Sequence, residues 1–442
     1  MFSKILVANR GEIAVRIIRS CKEMGISTVS VYSEADRDSL HVALADQSVC
    51  IGEAAPSDSY LNAERIISAA LATGSQAIHP GYGFLSENAK FAGLCEKHNV
   101  AFIGPPSEII SKIGDKNEAR RIMHAAGVPT VPGTGIIKDE KDAVKSAKEI
   151  GCPLMIKASA GGGGKGIRMA LTPGEVENAF LTASHEAREA FGDGALYMEK
   201  RIYPAKHIEV QILADELGKV ICLGERECSI QRHNQKLLEE TPSPAVDADL
   251  REKLYDAARK AAEAVKYINA GTVEFLLDAE GKFYFIEMNV RLQVEHAVTE
   301  QVTGMDIVKW QIRIAAGVPF DFEQKDIALM GNSIECRINA TSVGRVEVLH
   351  VPGGPRVRFD SALWTGYNVP PYYDSLLGKL IVHAATREEA IRKMRAALCE
   401  LVIEGVPNNI DEQLEYISDE SFRSGEYYTD FPANKTSGKS GD

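Results

Sequence analysis

The first hundred residues alternate strand signals with helix signals, and this alternation restricts the chain to a fold that begins with a parallel sheet. Lys4 to Ala8 is a short apolar run, after which Ile13, Ile17, Cys21 and Met24 recur at helical spacing until Gly25. Ser27 to Tyr32 predicts a strand, Glu64 to Thr73 a helix closed by Gly74, and Gln76 to His79 a strand. Ser86 to Asn99 predicts a helix, and Val100 to Ile103 a strand that stops at Gly104-Pro105-Pro106. A β-α-β-α-β order puts ligand-binding loops at the carboxyl ends of its strands.

The signals change along the chain. From Asp115, a strand at Leu154 to Lys157, a glycine run and a capping-box pattern at Thr172-Pro173-Gly174-Glu175 predict a small α+β insert. Beyond Ile202, apolar alternation in His207–Leu213, Val220–Leu223, Gly271–Leu277 and Lys282–Asn289 predicts antiparallel strands, with a helix at Leu250 to Tyr267. More strands and a helix at Arg387 to Glu404 follow Asn332, and Thr436 to Asp442 is a polar tail. The expected division is 1–114, 115–202, 203–331 and 332–442, a multi-domain α/β and α+β chain. The length of 442 residues agrees, at roughly 150 per domain.

Charge and cysteines narrow the function classes. The formal net charge of −12 gives no general attraction to nucleic acid or to anionic membranes, so any anion is held by a local cluster. No apolar stretch approaches the roughly 18 residues of a membrane span, and Lys4, Arg10 and Glu12 break up the N-terminus where a signal peptide needs apolar residues. Eight scattered cysteines without a Cys-x-x-Cys pair argue against a disulfide framework and a structural zinc site. The expected location is the cytoplasm.

Five constellations carry chemistry. Gly161-Gly162-Gly163-Gly164-Lys165-Gly166 follows the strand ending in Lys157, as in a loop that closes over phosphates, although a plain flexible turn reads the same way. With a turn at Asp278 to Gly281, Leu277 faces Lys282 and Glu274 faces Phe285, which puts Glu287 on the face of Glu274 together with Asn289 and Arg291. That face is either a solvated polar surface or, given Phe275, Phe283 and Phe285 beside it, a magnesium site using two carboxylates and nucleotide phosphates. Arg291-Leu292-Gln293-Val294-Glu295-His296 supplies a guanidinium, an amide and a carboxylate to hold a small oxyanion and take its proton, or forms a surface charge cluster. Gln231 to Lys236 adds cations and amides, with a solvated loop as the alternative, and the His79 to Asn88 loop lies at a strand's carboxyl end.

Ile5 to Ala14, His79 to Asn88, the glycine run, Phe285 to Asn289 with Arg291 to His296, and Pro370-Pro371-Tyr372-Tyr373-Asp374-Ser375 together resemble biotin carboxylase, as the stand-alone subunit of bacterial acetyl-CoA carboxylase, nearly end to end. The resemblance implies an ATP-grasp fold with an N-terminal parallel-sheet domain, a mobile glycine-rich lid and a C-terminal antiparallel-sheet domain. It implies ATP, Mg2+ or Mn2+, bicarbonate, and biotin brought by a separate carrier protein, since no Glu-Ala-Met-Lys-Met-like segment is present. Lys116, Lys157, Glu199, Lys200, His207, Gln231 and Asn234 match nucleotide contacts, with Gly161 to Gly166 as the lid. Glu274, Glu287 and Asn289 match metal ligands; Lys236, Arg291, Gln293 and Val294 match bicarbonate contacts; and Glu295 matches the base. Arg337 matches the residue that stabilises the biotin enolate, and Tyr82 and Gly83 match the biotin dock. A homodimer through Arg19, Glu23 and Arg358, and carboxyltransferase partners, are implied as well.

Against that pattern, Lys165, His233-Asn234, Val290 and Ala297 are substitutions, and the connection after Asn339-Ala340 is shorter by roughly seven residues. The shortening bears on the placement of Arg337 and of Pro355 to Arg358. Two other readings remain at this stage, an ATP-grasp ligase joining a carboxylate to an amine, and a subunit that binds nucleotide without turnover.

Overall fold

The structure is a computed structural model describing residues 1–159 and 166–432. Five parallel strands open it, in the spatial order Gln47–Gly52, Ser27–Ser33, Lys4–Val7, Ala77–His79, Ala101–Phe102. The strand Gln47–Gly52 was unpredicted, because its alternation is masked by polar Gln47 and Ser48 at an edge that leaves them exposed. Helix Gly11–Glu23 buries Ile13, Ala14, Ile17, Ile18 and Cys21 against the sheet, as the 3.6-residue spacing requires. The helix expected from Ser86 begins at Ala89, because the Asn88 side chain accepts from Phe91 N at 2.9 Å and caps it there. Glu87 is thereby left in the loop.

The strand order reverses between Lys4–Val7 and Ala77–His79. A crevice at such a switch point is the expected ligand site of an open α/β sheet, and the loops that follow both strands, Asn9 to Glu12 and Tyr82 to Phe84, line the principal cavity. Fully buried His79 ends the second strand, and its Nδ1 accepts from Gly81 N at 3.1 Å. Burial, reinforced by Arg16, pushes its pKa down from 6.5 to about 3. A folded value below the unfolded one means stability that is whole above pH 6.5 and is lost as pH falls toward 3. His79→Gln is therefore expected to lose about 2 kcal/mol less than the parent chain between pH 6.5 and about pH 5 in urea unfolding, and parallel pH curves would contradict this.

The insert is a three-stranded antiparallel sheet, Ile167–Ala170, Leu154–Ala158, Leu196–Lys200, packed on helices Glu140–Ile150 and Val176–Phe191. The expected capping box at Thr172 is instead a 3-10 turn, Pro173–Glu175, in which Glu175 accepts from Leu171 N and the Thr172 hydroxyl before the helix starts at Val176.

The rest is organised by one eight-stranded antiparallel sheet, in the order Phe283–Asn289, Asn269–Asp278, Ala205–Ala214, Val220–Arg232, Gln235–Thr241, Asn332–Asn339, Leu376–Ala384, Val357–Ser361. It runs without a break across position 331/332, because Leu238 to Thr241 pair with Ser333 to Cys336. All ten residues of Ala205–Ala214 are buried. Ile208, Val210 and Ile212 pack in the core with Leu254, Ala258 and Ala261 of helix Ala248–Ala264, while His207, Glu209 and Gln211 alternate onto the opposite face. Gln231 to Lys236, for which a loop was one reading, is a two-residue hairpin with His233 and Asn234 at φ 51° and 62°. The predicted helix to Glu404 ends at Glu400, and Val402–Glu404 is a strand paired with Val348–His350.

Candidate active site

The hairpin carrying the two acids differs in register from the sequence reading. Leu277 pairs with Phe283 and Glu274 pairs directly with Glu287, the offset being absorbed by a bulge beside Ile286. Without the bulge Glu274 would face Ile286 and Glu287 would turn to the other side of the sheet. With it, Glu274, Glu287 and Asn289 all line a cavity of about 950 Å³.

Five elements converge on the cavity floor. The Lys236 ammonium, on Gln235–Thr241, donates to Glu209 Oε2 at 2.5 Å, Glu295 Oε1 at 2.6 Å and Glu274 Oε1 at 2.9 Å. Glu274 Oε1 also accepts from Asn289 Nδ2 at 2.8 Å and Gln293 Nε2 at 3.0 Å. Arg337, on Asn332–Asn339, reaches Glu295 Oε2 at 2.9 Å. Arg291 donates to Asn289 Oδ1 at 2.9 Å, Gln293 Oε1 at 3.0 Å and Glu87 Oε2 at 2.9 Å.

Protonation states follow. Burial opposes the charge on Lys236, but Glu209, Glu274 and Glu295 overcome it and hold the ammonium well above its ordinary pKa. Burial likewise opposes ionised Glu274 and Glu295; Lys236 and His207 together outweigh it at Glu274, and Lys236 with Arg337 and Arg226 at Glu295, so both stay below the usual carboxylate range. Burial works against a charged His207 too, and Glu274 with Glu209 raises it to about 9.

Among the residues expected to contact nucleotide, Lys157 Nζ meets Glu199 Oε2 at 2.5 Å and Lys116 Nζ meets Glu287 Oε2 at 3.3 Å. Lys200 donates to Gly151 O and Cys152 O at 3.2 and 3.3 Å, and Gln231 Nε2 lies 2.9 Å from His207 Nδ1. Lys116, Lys157, Glu199, Lys200, His207, Gln231 and Asn234 all line the cavity, as do Tyr82, Gly83, Lys236, Arg291, Gln293, Val294 and Arg337. Asn9 Nδ2 pins the Tyr82 loop through Pro80 O at 2.7 Å and Tyr82 O at 2.8 Å. Glu295 does not line the cavity; it is fully buried below the floor and is reached through Lys236 and Arg337. Gly161 to Lys165 lie outside the described residues, and Gly166 stands at φ 70° with its carbonyl accepting from Ala158 N.

The shortened connection leaves Arg337 at the site. Ala340 N bonds to Ser375 O and Thr341 N to Pro407 O, both at 2.8 Å, and Gly344–Arg345 pairs with Asn368–Val369. Arg358 is engaged within the chain, by Asp360 and Glu300.

Sequence reasoning missed Glu209, which binds both Lys236 and Arg226, and Glu87, which holds Arg291 and the Val290 amide. Strand alternation from His207 would have placed Glu209 on the site face. The apolar part of the cavity lining, Val131, Met155, Ile202, Leu276 and Ile286 among it, also went unread.

Comparisons with known proteins agree with this geometry. Residues 1–110 match the biotin carboxylase N-terminal domain, residues 115–322 the ATP-binding domain of the carbamoyl-phosphate synthase L chain, and residues 335–433 the biotin carboxylase C-terminal domain. Biotin carboxylase 1 of Bacillus subtilis is 54% identical over 441 residues, 98% of each chain. The biotin carboxylase–β,γ-ATP complex from Campylobacter jejuni superposes with a TM-score of 0.95 at 48% identity, over 98% of this chain and 99% of that one. The biotin carboxylase domain dimer of the Hydrogenobacter thermophilus 2-oxoglutarate carboxylase, in complex with MgADP, ADP and bicarbonate, gives 0.94 at 50% identity, over 99% and 98%. With the ATP-grasp fold and matches along its whole length, the chain belongs to the biotin carboxylase family of ATP-dependent ligases.

Proposed function

We propose that the chain uses ATP and bicarbonate to carboxylate biotin on a carrier protein through carboxyphosphate, as the first half-reaction of an acetyl-CoA carboxylase in the cytoplasm. The observation that carries this reading is the buried Glu295 carboxylate held by Lys236 and Arg337, two residues that line the same cavity as Glu274, Glu287 and Asn289.

The donor set fits magnesium. Two opposed carboxylates and an amide are hard oxygen groups, and the Lys116 ammonium lies 3.3 Å from Glu287. Bound there, magnesium would neutralise charge on the phosphates during transfer. The apolar part of the lining suits an adenine ring, and Lys116 and Lys157 suit the phosphates.

Bicarbonate is accepted by Arg291, Gln293, Val294 and Lys236 on this reading. In the free protein Lys236 and Arg337 hold Glu295 ionised, which keeps it ready but weakly basic. An anion seated among those cations shares their charge, and Glu295 regains the basicity to take the bicarbonate proton. The freed oxygen attacks the terminal phosphate and ADP leaves. Carboxyphosphate then breaks down to carbon dioxide and phosphate, phosphate takes the biotin N–H proton, and biotin nitrogen attacks the carbon dioxide. Arg337 stabilises the ureido oxygen as it gains negative charge.

Two measurements test the reading. ATP cleavage and biotin carboxylation are each assayed with and without bicarbonate and free biotin; carboxylation requiring all three substrates supports it, and turnover only with an added amine acceptor, or tight ATP binding without turnover, contradicts it. Arg337→Ala is expected to slow biotin carboxylation about 10²–10³-fold, much more than bicarbonate-dependent ATP cleavage, and equal losses would remove it from the second step. The homodimer is proposed on the likeness to the Hydrogenobacter thermophilus dimer. That same neighbour supports a second reading of the final acceptor, a 2-oxo acid in place of an acyl-CoA, since the partner carboxyltransferase makes that choice.

A further inference from the structure

Beside Arg337 lies a pair of acids that the proposed reaction does not use. Glu239, on Gln235–Thr241, and Glu335, on Asn332–Asn339, stand directly opposite each other on neighbouring antiparallel strands, and both are fully buried. Residues paired in this way project from the same face with backbones about 4.5–5.5 Å apart. Their surroundings are unequal. Arg337 Nε donates to Glu239 Oε1 at 2.6 Å, and Nη2 of the same guanidinium lies 2.5 Å from that oxygen. Glu239 Oε2 and both Glu335 oxygens have no hydrogen-bond partner among the described residues.

Two anions cannot leave three oxygens orphaned in a dry interior without a large desolvation cost. A proton on Glu335 cancels its charge and supplies an O–H that can donate to Glu239 Oε2. Arg337 then stays between two carboxylates, Glu239 and Glu295, held by the first while it faces the second. We propose that Glu239 and Glu335 hold one proton between them, carried by Glu335, and that ionised Glu239 is a positioning residue that anchors Arg337 for the biotin half of the reaction. The inference rests on the role proposed above for Arg337.

The charged and titratable groups facing the pair come from each element around it. They are Lys236 on the strand of Glu239, Cys228 on Val220–Arg232, Glu295 at the head of helix His296–Thr303, and Lys379 on Leu376–Ala384. Burial raises Glu239 to about 7, with Arg337 opposing and Glu295 adding to the rise. Burial raises Glu335 well above the usual carboxylate range, with Lys379 opposing and Glu239 adding.

Infrared difference spectra of the full chain at about pH 8 read the proton directly. Glu335→Gln is expected to remove a protonated-carboxyl C=O band and to leave the melting temperature unchanged. Glu239→Gln is expected to remove a carboxylate band. In kinetics, Glu239→Gln is expected to lower kcat for biotin carboxylation about tenfold or more, with KM for ATP and biotin-independent ATP cleavage changed less than about twofold, and Glu239→Asp to restore part of the loss. Loss of a carboxylate band in Glu335→Gln, or equal losses of both reactions in Glu239→Gln, would overturn the proposal. A parent chain that does not carboxylate biotin would instead refute the functional reading, and the infrared result would still decide the location of the proton.

Discussion

Glu295→Gln is expected to cut bicarbonate-dependent ATP cleavage by about 10²–10⁴-fold while changing ATP affinity by less than about threefold. The amide preserves shape and keeps an oxygen for Lys236 or Arg337, so what disappears is the proton acceptor. Glu295 touches no cavity surface, whereas Lys116, Lys157 and the apolar lining do, so nucleotide binding has its own supports. Steady-state ATP cleavage with and without bicarbonate, alongside nucleotide binding by calorimetry, checks the split. Parallel loss of ATP affinity would make Glu295 part of the nucleotide scaffold instead of a base.

Lys236→Met is expected to have the largest effect on the fold itself. One ammonium, about one-tenth exposed, bridges Glu209, Glu274 and Glu295. Besides Lys236, Glu209 meets Arg226, Glu274 meets His207 and Glu295 meets Arg337. Removing one partner from a buried ionic cluster costs about 3–5 kcal/mol, chiefly because the remaining charges are stranded. The expected result is that loss in urea unfolding at neutral pH, shrinking in acid as the stranded carboxylates take up protons, together with loss of bicarbonate-dependent turnover. Unchanged stability at neutral pH would mean that the three acids already share protons and that Lys236 is not their common counterion.

Much of the site was legible because its residues lie in contiguous motifs. Arg291 to Glu295 form one short segment, and Glu274 and Glu287 flank one turn, so all are near one another in the chain. The pairing between strands was less legible. The bulge beside Ile286 has no glycine or proline to announce it, yet it decides which residue faces Glu274. The counter-charges were least legible. Glu209, Lys236, Glu274 and Arg337 meet because their strands are near neighbours in the large sheet, an order set by long-range packing. Glu209 and Glu239 therefore read as ordinary strand acids until that order is known.

The fold shows the same division. The parallel sheet followed from its apolar runs, because a strand buried on both faces has little choice of residue. Gln47–Gly52 escaped because an edge strand is free to be polar. The last sequence block joins the sheet of the third through Leu238 to Thr241, a pairing that connects residues nearly a hundred positions apart.

The central claim is that the site brings an oxygen of bicarbonate onto the terminal phosphate of ATP. Turnover in 18O-labelled bicarbonate and unlabelled water tests it most directly. Phosphate carrying one bicarbonate-derived oxygen per turnover is expected; phosphate that takes its new oxygen from water alone would contradict this chemistry.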